Sequence, residues 1–162
     1  MPGFGATIAE PKVYFFGYLA SDVAVVAKNT WETLKWTHRQ NVGFTHTNGQ
    51  AEIYVLTTGI YFISNHVVYD CTGTGPEHRL LSKTVYTSPD AVSGNTPQVR
   101  GAAGSTDATA ASVVSIPTKL LFMEAGGSIN FQANHVDTLD IAGVYYKALY
   151  TSCTLALYSR GG

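Results

Sequence analysis

The segment Gly59–Tyr69 (GIYFISNHVVY) constrains the fold of this chain more than any other stretch. It is rich in aromatic and β-branched residues, it contains no proline, and a cluster of turn-forming residues ending at Pro76 follows it. This composition predicts a strand near the centre of a sheet, with both faces largely apolar and therefore buried. Because side chains alternate along a strand, one face is expected to carry Ile60, Phe62 and Ser64, and the other Tyr61, Ile63, Asn65 and Val67.

The composition predicts a domain that hides part of its surface in an assembly. The length of 162 residues fits one domain, which can bury about two thirds of its surface without metal or disulfide staples. Charged residues make up 13% of the chain and tyrosine occurs 10 times, whereas a typical domain has about 25% charged residues. This balance favours a partner subunit. The net charge of −1 provides no basic field, so neither nucleic acid nor a membrane surface is predicted as a partner.

Residues 1–12 are predicted to form an irregular N-terminal arm, because proline and glycine are frequent there. Residues 13–162 are predicted to form a single domain. If the arm is ordered, a neighbouring chain is expected to hold it through Phe4, Ile8 and Pro11. No basic segment followed by a long apolar run opens the sequence, so no secretory signal is recognised.

Short apolar runs separated by turn residues recur along the chain. They predict strands at Val13–Ala20, Val23–Ala27, Asn29–Trp36, Ala51–Leu56, Leu80–Tyr86, Val113–Ile116, Leu120–Met123, Ser128–Ala133 and Val144–Tyr158. Asn29–Trp36 also fits one helical turn, although a strand is favoured, and Val144–Tyr158 is expected to bend or break. Asn48-Gly49 is the strongest tight-turn signal.

Residues 87–112 are predicted to be a long, loop-like insertion, because glycine, alanine, serine and proline dominate them. The end of this segment, Asp107–Ala111, also fits a short helix. Val136–Ala142 is predicted to be a polar loop. About eight to ten short strands without an amphipathic helix indicate an all-β sandwich or jelly roll.

Four segments resemble, in the same order, the globular domain of complement C1q and, more distantly, the tumour necrosis factor homology domain. They are VYFFGYLA (13–20), NVGFTHTNGQAEIYVLTTGIYFISNHV (41–67), LLFMEAGGSINFQA (120–133) and SCTLALYS (152–159). The second segment is similar to the family's order of Asn-x-Gly, hairpin, apolar strand and Gly-x-Tyr-x-Phe, although Phe62 directly follows Tyr61 here. Gly126-Gly127 stands where the family usually has Gly-Asp, and the closing segment lacks the usual Phe-Ser-Gly.

The resemblance implies a ten-stranded antiparallel jelly roll of the TNF/C1q type, assembled as a homotrimer around a threefold axis. It also implies that the central strand, the Leu-rich strand and the closing strand meet at that axis. The trimer-interface residues carried over from the resemblance are Phe62, Ser64, Ile116, Leu121 and Tyr150. The alternative, that these residues fill the core between the sheets, stays open at this point.

The sequence contains no recognisable pattern for catalysis, for a cofactor or for a metal site. None of the five histidines, His38, His46, His66, His78 and His135, has metal-ligand spacing. His66 lies in the central strand and is expected to be a hydrogen-bonded core or interface histidine. Loop oxygens can bind calcium, but solvated or turn-capping roles are favoured for Asp70, Glu77, Asp137 and Asp140. Trp31 and Trp36 could stack on a sugar or a base, but packing in the core or in an interface is favoured for both. Either two free thiols or one disulfide is expected for Cys71 and Cys153.

Two functions follow from this pattern. The first is a non-enzymatic, trimeric virion structural protein, such as a capsid decoration, cement or fibre-head subunit on the surface of a phage or virus. In that role the arm would bind other capsid subunits. The alternative is a soluble, extracellular C1q/TNF-like module that binds a receptor or glycan through loops including 70–79 and 87–112.

Overall fold

The computed structural model describes residues 12–25, 29–70, 78–90, 98–105, 111–136 and 145–160. These residues form thirteen strand segments, all paired in antiparallel fashion, and two sheets. Sheet A contains β1 (Tyr14–Tyr18), β2 (Val23–Ala24), β4 (Thr37–Val42), β7 (Gly59–Asp70), β10 (Ala111–Met123), β12 (Tyr145–Tyr146) and β13 (Ser152–Arg160). Sheet B contains β3 (Glu32–Thr33), β5 (Phe44–Thr45), β6 (Ile53–Val55), β8 (His78–Thr87), β9 (Gln98–Ser105) and β11 (Ser128–Val136).

The strand predicted from Gly59–Tyr69 is β7, and it lies at the centre of sheet A. One edge of β7 pairs with β10, and the other pairs with β13 and β12. Along β7 the odd-numbered residues are buried, whereas Phe62 and His66 are exposed. The predicted alternation is therefore confirmed, and the face carrying Tyr61, Ile63 and Asn65 is the one that packs on sheet B.

The core lies between the inner faces of the two sheets. Trp36 and Phe131 meet edge to face with ring centroids 5.7 Å apart, and both are fully buried. Phe44 of sheet B contacts Tyr61 of sheet A at 5.7 Å between centroids. Burial of such large side chains removes on the order of 150–250 Å² each from water, so aromatic packing accounts for much of the driving force for folding.

The expectation of one long loop over 87–112 is wrong, because Gln98–Ser105 forms β9. Backbone hydrogen bonds pair β9 with β8 from His78 to Val85. The glycine and alanine residues of β9 have weak intrinsic strand propensity. Backbone hydrogen bonds to β8 therefore hold β9 in the strand conformation that its side chains only weakly favour.

The segments around Pro117 form one strand rather than two. β10 runs from Ala111 to Met123, and its register with β7 shifts between Ile116 and Lys119. Proline has no N–H to donate to the ladder, so an irregularity at this point is expected. Of the possible helix Asp107–Ala111, residues 107–110 lie outside the described part of the chain and Ala111 begins the strand.

Two predicted turns are confirmed. Gln50 N donates to Thr47 O at 3.0 Å, and Gly49 has a φ of 84°, which is the geometry of a type II turn around Asn48-Gly49. The predicted break near the end of the chain is the turn at 148–150, between β12 and β13.

Candidate functional site

The most distinctive surface of the molecule is an exposed apolar cluster on the outer face of sheet A. It consists of Phe62, Leu120, Phe122 and Tyr158, with exposed fractions of 40%, 54%, 51% and 61%. Leu120 is in register with Phe62, and the rings of Phe62 and Tyr158 meet edge to face at 5.0 Å between centroids. Soluble monomers rarely leave contiguous large apolar side chains in water, so this outer-face cluster marks an interaction surface.

Strand alternation places these four side chains on one face. Phe62 is at an outward position of β7, and Leu120 and Phe122 occupy the matching positions of β10. On β13 the register shifts between Leu157 and Ser159, and the extra residue is Tyr158. Tyr158 faces outward two positions after Ala156, the register partner of Phe62, whereas Leu157 between them packs against the core.

The apolar surface continues across sheet A onto β1. Tyr14 and Phe16 are half-buried, and they alternate with the fully buried Phe15. They are in register with Ala156 and Thr154 of β13. The outer-face cluster is therefore part of a wider aromatic surface.

Further along β7 the outer face becomes polar. Ser64 is half-buried and in register with Thr154. His66 is exposed, and its Nδ1 lies 2.8 Å from Ser115 Oγ. The outer face thus has an apolar half and a hydroxyl-rich half.

The structure brings together some of the residues expected at a trimer interface and separates others. Phe62 and Ser64 occupy successive outer positions of β7. Leu121 is half-buried and packs against the hydrophobic core, which is the alternative considered for it. Ile116 is in register with Asn65, and its side chain lies outside the described part of the structure. Tyr150 is 71% exposed in the turn before β13. It therefore lies near the beginning of β13, whereas Tyr158 of the outer-face cluster lies near its end.

The sequence did not indicate Leu120, Phe122 and Tyr158 as members of this surface. The signal for the first two was the alternation in Lys119–Met123, but only the register with Phe62 shows which alternate set faces outward. Tyr158 belongs to an alternate set of β13 with Thr154 and Ala156, but only the register of Ala156 with Phe62 shows that this set faces outward.

A second site that sequence spacing did not predict is the contact between His38 and His46. Their Nδ1 atoms are 3.2 Å apart, and His46 Nε2 lies 3.2 Å from the carbonyl oxygen of Gln50. His46 is 9% exposed, and its burial lowers the pKa of the imidazole. An open pocket of about 120 Å³ lies against His46 and is lined by Thr45, His46, Thr47, Gln50, Glu52 and Tyr54.

The tryptophans and Cys153, which the sequence also offered as candidates, are held by packing contacts within the protein. Trp36 is in the core, and Trp31 stacks beneath Lys83 with the ammonium 4.4 Å from the ring centroid. Cys153 is a free, fully buried thiol, and burial raises its pKa well above the ordinary value. A buried thiol held in its protonated form is a poor nucleophile. Cys71 and the acidic residues Glu77, Asp137 and Asp140 lie outside the described part of the chain.

Asp70 lies on β7, with a carboxylate oxygen 3.6 Å from Lys147 Nζ. In the residues that the structure describes, no three His, Cys, Asp or Glu side chains come together in a way that could hold a metal ion. None of the described residues forms a helix long and apolar enough to cross a membrane.

No protein family model and no curated protein matches the sequence. The structure, however, is similar to that of the TNF Eiger from S. frugiperda, with a TM-score of 0.65, 14% identity, and 94% of this chain and 96% of that chain covered. The globular domain of zebrafish complement 1qA gives a TM-score of 0.65 at 12% identity, covering 93% and 100% of the two chains. Murine APRIL at pH 5.0 gives 0.57 at 13% identity, covering 91% and 99%.

The chain has the TNF/C1q-like jelly-roll fold. This confirms the fold class that the sequence predicted. The strand count also agrees in rough terms, since four of the thirteen segments are only two residues long. In this TNF/C1q-like jelly roll the outer-face cluster lies on the sheet built from the opening, central, Leu-rich and closing strands.

Proposed function

We propose that this chain is a non-enzymatic assembly module that forms a homotrimer through the outer face of sheet A. The observation that carries the proposal is the outer-face cluster of Phe62, Leu120, Phe122 and Tyr158. Burying such side chains contributes on the order of 25 cal/mol per Å² of apolar surface, which makes exposure of the whole cluster costly. Ser64 lies at the edge of the proposed interface, and Ile116 and Tyr150 remain predictions for it.

Support for three copies comes from the fold. The strands that the C1q-like resemblance places at a threefold axis are β7, β10 and β13, and these strands also carry the cluster. The low charge content and the tyrosine excess of the chain fit an assembly of this kind.

Native mass spectrometry at micromolar concentration tests the proposal directly. The expected species contains three chains of 17.4 kDa each. A monomer under these conditions would contradict the assembly proposal.

A matched pair of leucine variants tests which face is used. Leu120 on β10 and Leu56 have nearly equal exposures of 54% and 56%, but Leu120 is on sheet A and Leu56 directly follows a strand of sheet B. Leu120→Glu is expected to give a folded monomer, because it would place three carboxylates in an apolar interface. Leu56→Glu is expected to stay trimeric. Loss of the trimer in both variants, or in neither, would exclude this face as the specific interface.

The first biological role that we propose for the trimer is to decorate a virion surface as a cement or fibre-head subunit. Its support is the predicted arm, with Phe4, Ile8 and Pro11, which lies outside the described residues. Deleting residues 1–12 is expected to leave the trimer intact and to lower its occupancy on the particle. Normal decoration by the shortened chain would remove the main support for this role.

The second role is that of an extracellular recognition module for a receptor or a glycan. The likeness of the fold to a TNF, to APRIL and to a C1q globular domain favours it. In this case the arm deletion would leave binding unchanged, and binding to a cell surface or a glycan array would require the intact trimer. Leu120→Glu would then abolish binding together with assembly.

A further inference from the structure

Two histidines meet where the edges of the two sheets come together. His38 lies on β4, an edge strand of sheet A, and His46 directly follows β5, an edge strand of sheet B. The chain crosses from one sheet to the other at Gly43, between the two strands. This crossing converts a separation of eight positions into a contact of 3.2 Å between the Nδ1 atoms.

The surroundings of His46 determine which of its nitrogens carries the proton. Its Nε2 lies 3.2 Å from the carbonyl oxygen of Gln50, and a carbonyl oxygen can only accept, so Nε2 must donate. In the neutral ring, Nδ1 then holds a lone pair on the side of His38. A hydrogen bond from the second ring nitrogen to a backbone carbonyl is also what orients histidine ligands in metal sites.

We propose that His38 and His46 bind one divalent cation of borderline softness, such as Zn²⁺, Ni²⁺ or Cu²⁺, through their Nδ1 atoms. Two imidazole nitrogens that ligate one tetrahedral ion at about 2.0–2.1 Å are about 3.3 Å apart. The observed 3.2 Å is close to this value, so the two nitrogens already have the separation that a shared ion requires. Imidazole nitrogen favours these ions over Mg²⁺ and Ca²⁺, which prefer oxygen ligands.

The packing around the pair holds both rings in place. The fully buried Phe15 contacts His46 at 5.0 Å and His38 at 6.1 Å between ring centroids. The backbone N–H of His38 donates to Asn48 Oδ1 at 2.9 Å, which ties β4 to the turn that precedes Gln50. His46 is 9% exposed, whereas His38 is half-buried, so an ion reaches the pair from the side of His38.

When both imidazoles are uncharged, metal binding at this pair releases no proton. Without the ion, His38 Nδ1–H donates to the lone pair of His46 Nδ1. With the ion, the proton of His38 moves to its Nε2, and both Nδ1 lone pairs face the cation. Two tetrahedral positions remain for water, because no third side chain of the metal-ligating types joins the pair in the part of the chain that the structure describes. The site is therefore open, unlike a four-ligand structural zinc site.

Isothermal titration of the full chain with ZnCl₂ at near-neutral pH tests the site. One ion per chain is expected, and His38→Gln and His46→Gln should each weaken binding by at least about tenfold. The control is Lys35→Gln, which changes an exposed, non-ligating side chain just before β4 and should leave the affinity unchanged. MgCl₂ is expected to give no binding heat. Circular dichroism of each variant shows whether it folds. If His46→Gln does not fold, His38→Gln still tests the site, because His38 is only half-buried and its substitution disturbs the core less.

The zinc affinity of the site is expected to decrease as the two histidines become protonated. A protonated imidazole cannot bind a metal ion, so zinc affinity should fall when the pH is lowered to about 5.5. No binding at millimolar zinc would overturn the proposal. Equal binding by the wild type and His38→Gln, or an affinity that does not change at acidic pH, would overturn it as well.

Discussion

Asn65 and Ser82 form a hydrogen bond between the two sheets in the interior of the protein. Asn65 Nδ2 donates to Ser82 Oγ at 2.7 Å, and both residues are fully buried. One lies on β7 and the other on β8, so the bond connects central strands of sheets A and B. If the Asn65 amide lacked this partner, it would lose its hydrogen bonds to water on folding and gain none in return. The pair therefore favours the one alignment of the two sheets in which the bond forms.

The first prediction concerns this bond. Ser82→Ala is expected to lower the free energy of unfolding by about 1–3 kcal/mol, because it leaves the Asn65 amide unpaired in the core. Urea unfolding measures the change. Thr87→Ala removes an exposed hydroxyl from the same strand and is expected to have a much smaller effect. Equal effects of the two substitutions would show that the buried bond is unimportant for stability.

The hydroxyl of Tyr61 provides a second prediction. It donates to the carbonyl oxygen of Thr57 at 2.5 Å, and burial raises the pKa of the phenol. Tyr61→Phe is expected to lower the free energy of unfolding by about 0.5–1.5 kcal/mol. Tyr54→Phe, at a position 47% exposed on β6 of sheet B, serves as the matched control and should unfold like the wild type. Wild-type stability of Tyr61→Phe would contradict the prediction.

A third prediction concerns the close approach of β7 and β13 at Gly59. A Cβ atom at this position would lie 2.5 Å from the carbonyl oxygen of Ser159 and 2.6 Å from Leu157 Cδ1. Gly59→Ala is expected to cost about 1–3 kcal/mol of stability, because backbone atoms must shift to relieve the overlap. A thermal or urea transition unchanged from that of the wild type would show that the strands separate at no cost.

The turn between β12 and β13 gives a prediction about pH. Asp22 accepts hydrogen bonds from Lys147 Nζ and, at 2.7 Å, from the backbone N–H of Ala148. The Lys147 ammonium, and then the Ala148 N–H, hold the pKa of Asp22 below its ordinary value of 3.8. The stabilisation from this contact is therefore complete above that value, and it is lost as the pH falls through the lower pKa of the folded protein.

Nuclear magnetic resonance titration of the Asp22 carboxyl carbon tests this account. In Lys147→Met the pKa of Asp22 should rise toward 3.8. Lys119→Met removes an exposed lysine from β10 and should leave the titration unchanged. A wild-type midpoint at or above the ordinary value would show that the contact does not form in solution.

Strong local patterns predicted most of the fold. Alternation and β-branched content predicted β7, and apolar runs bounded by turn residues predicted β1, β6, β11 and β13. The β9 strand escaped prediction, because its Gly-Ala-Ala-Gly sequence lacks the side chains that favour a strand. Its conformation depends on backbone hydrogen bonds to the preceding strand β8, a pairing that the residues of β9 alone do not indicate.

The candidate sites were less predictable than the fold. Phe62 was expected at an interface, and it does lie on the exposed face. Leu121 was also expected there, but a strand carries two alternate sets of side chains and a shift of one position exchanges them. His38 and His46 have no recognisable ligand spacing, and only the crossing at Gly43 brings them into contact.

The sequence by itself determined an all-β sandwich or jelly roll organised around Gly59–Tyr69, because alternation, turn residues and strand length are local properties. The order of the four C1q-like segments then favoured the antiparallel jelly roll. Only the tertiary structure decided that Phe62 faces outward beside Leu120, Phe122 and Tyr158. That choice depends on the registers of β10 and β13 against β7. Register arises from backbone pairing between distant segments, which no local pattern specifies.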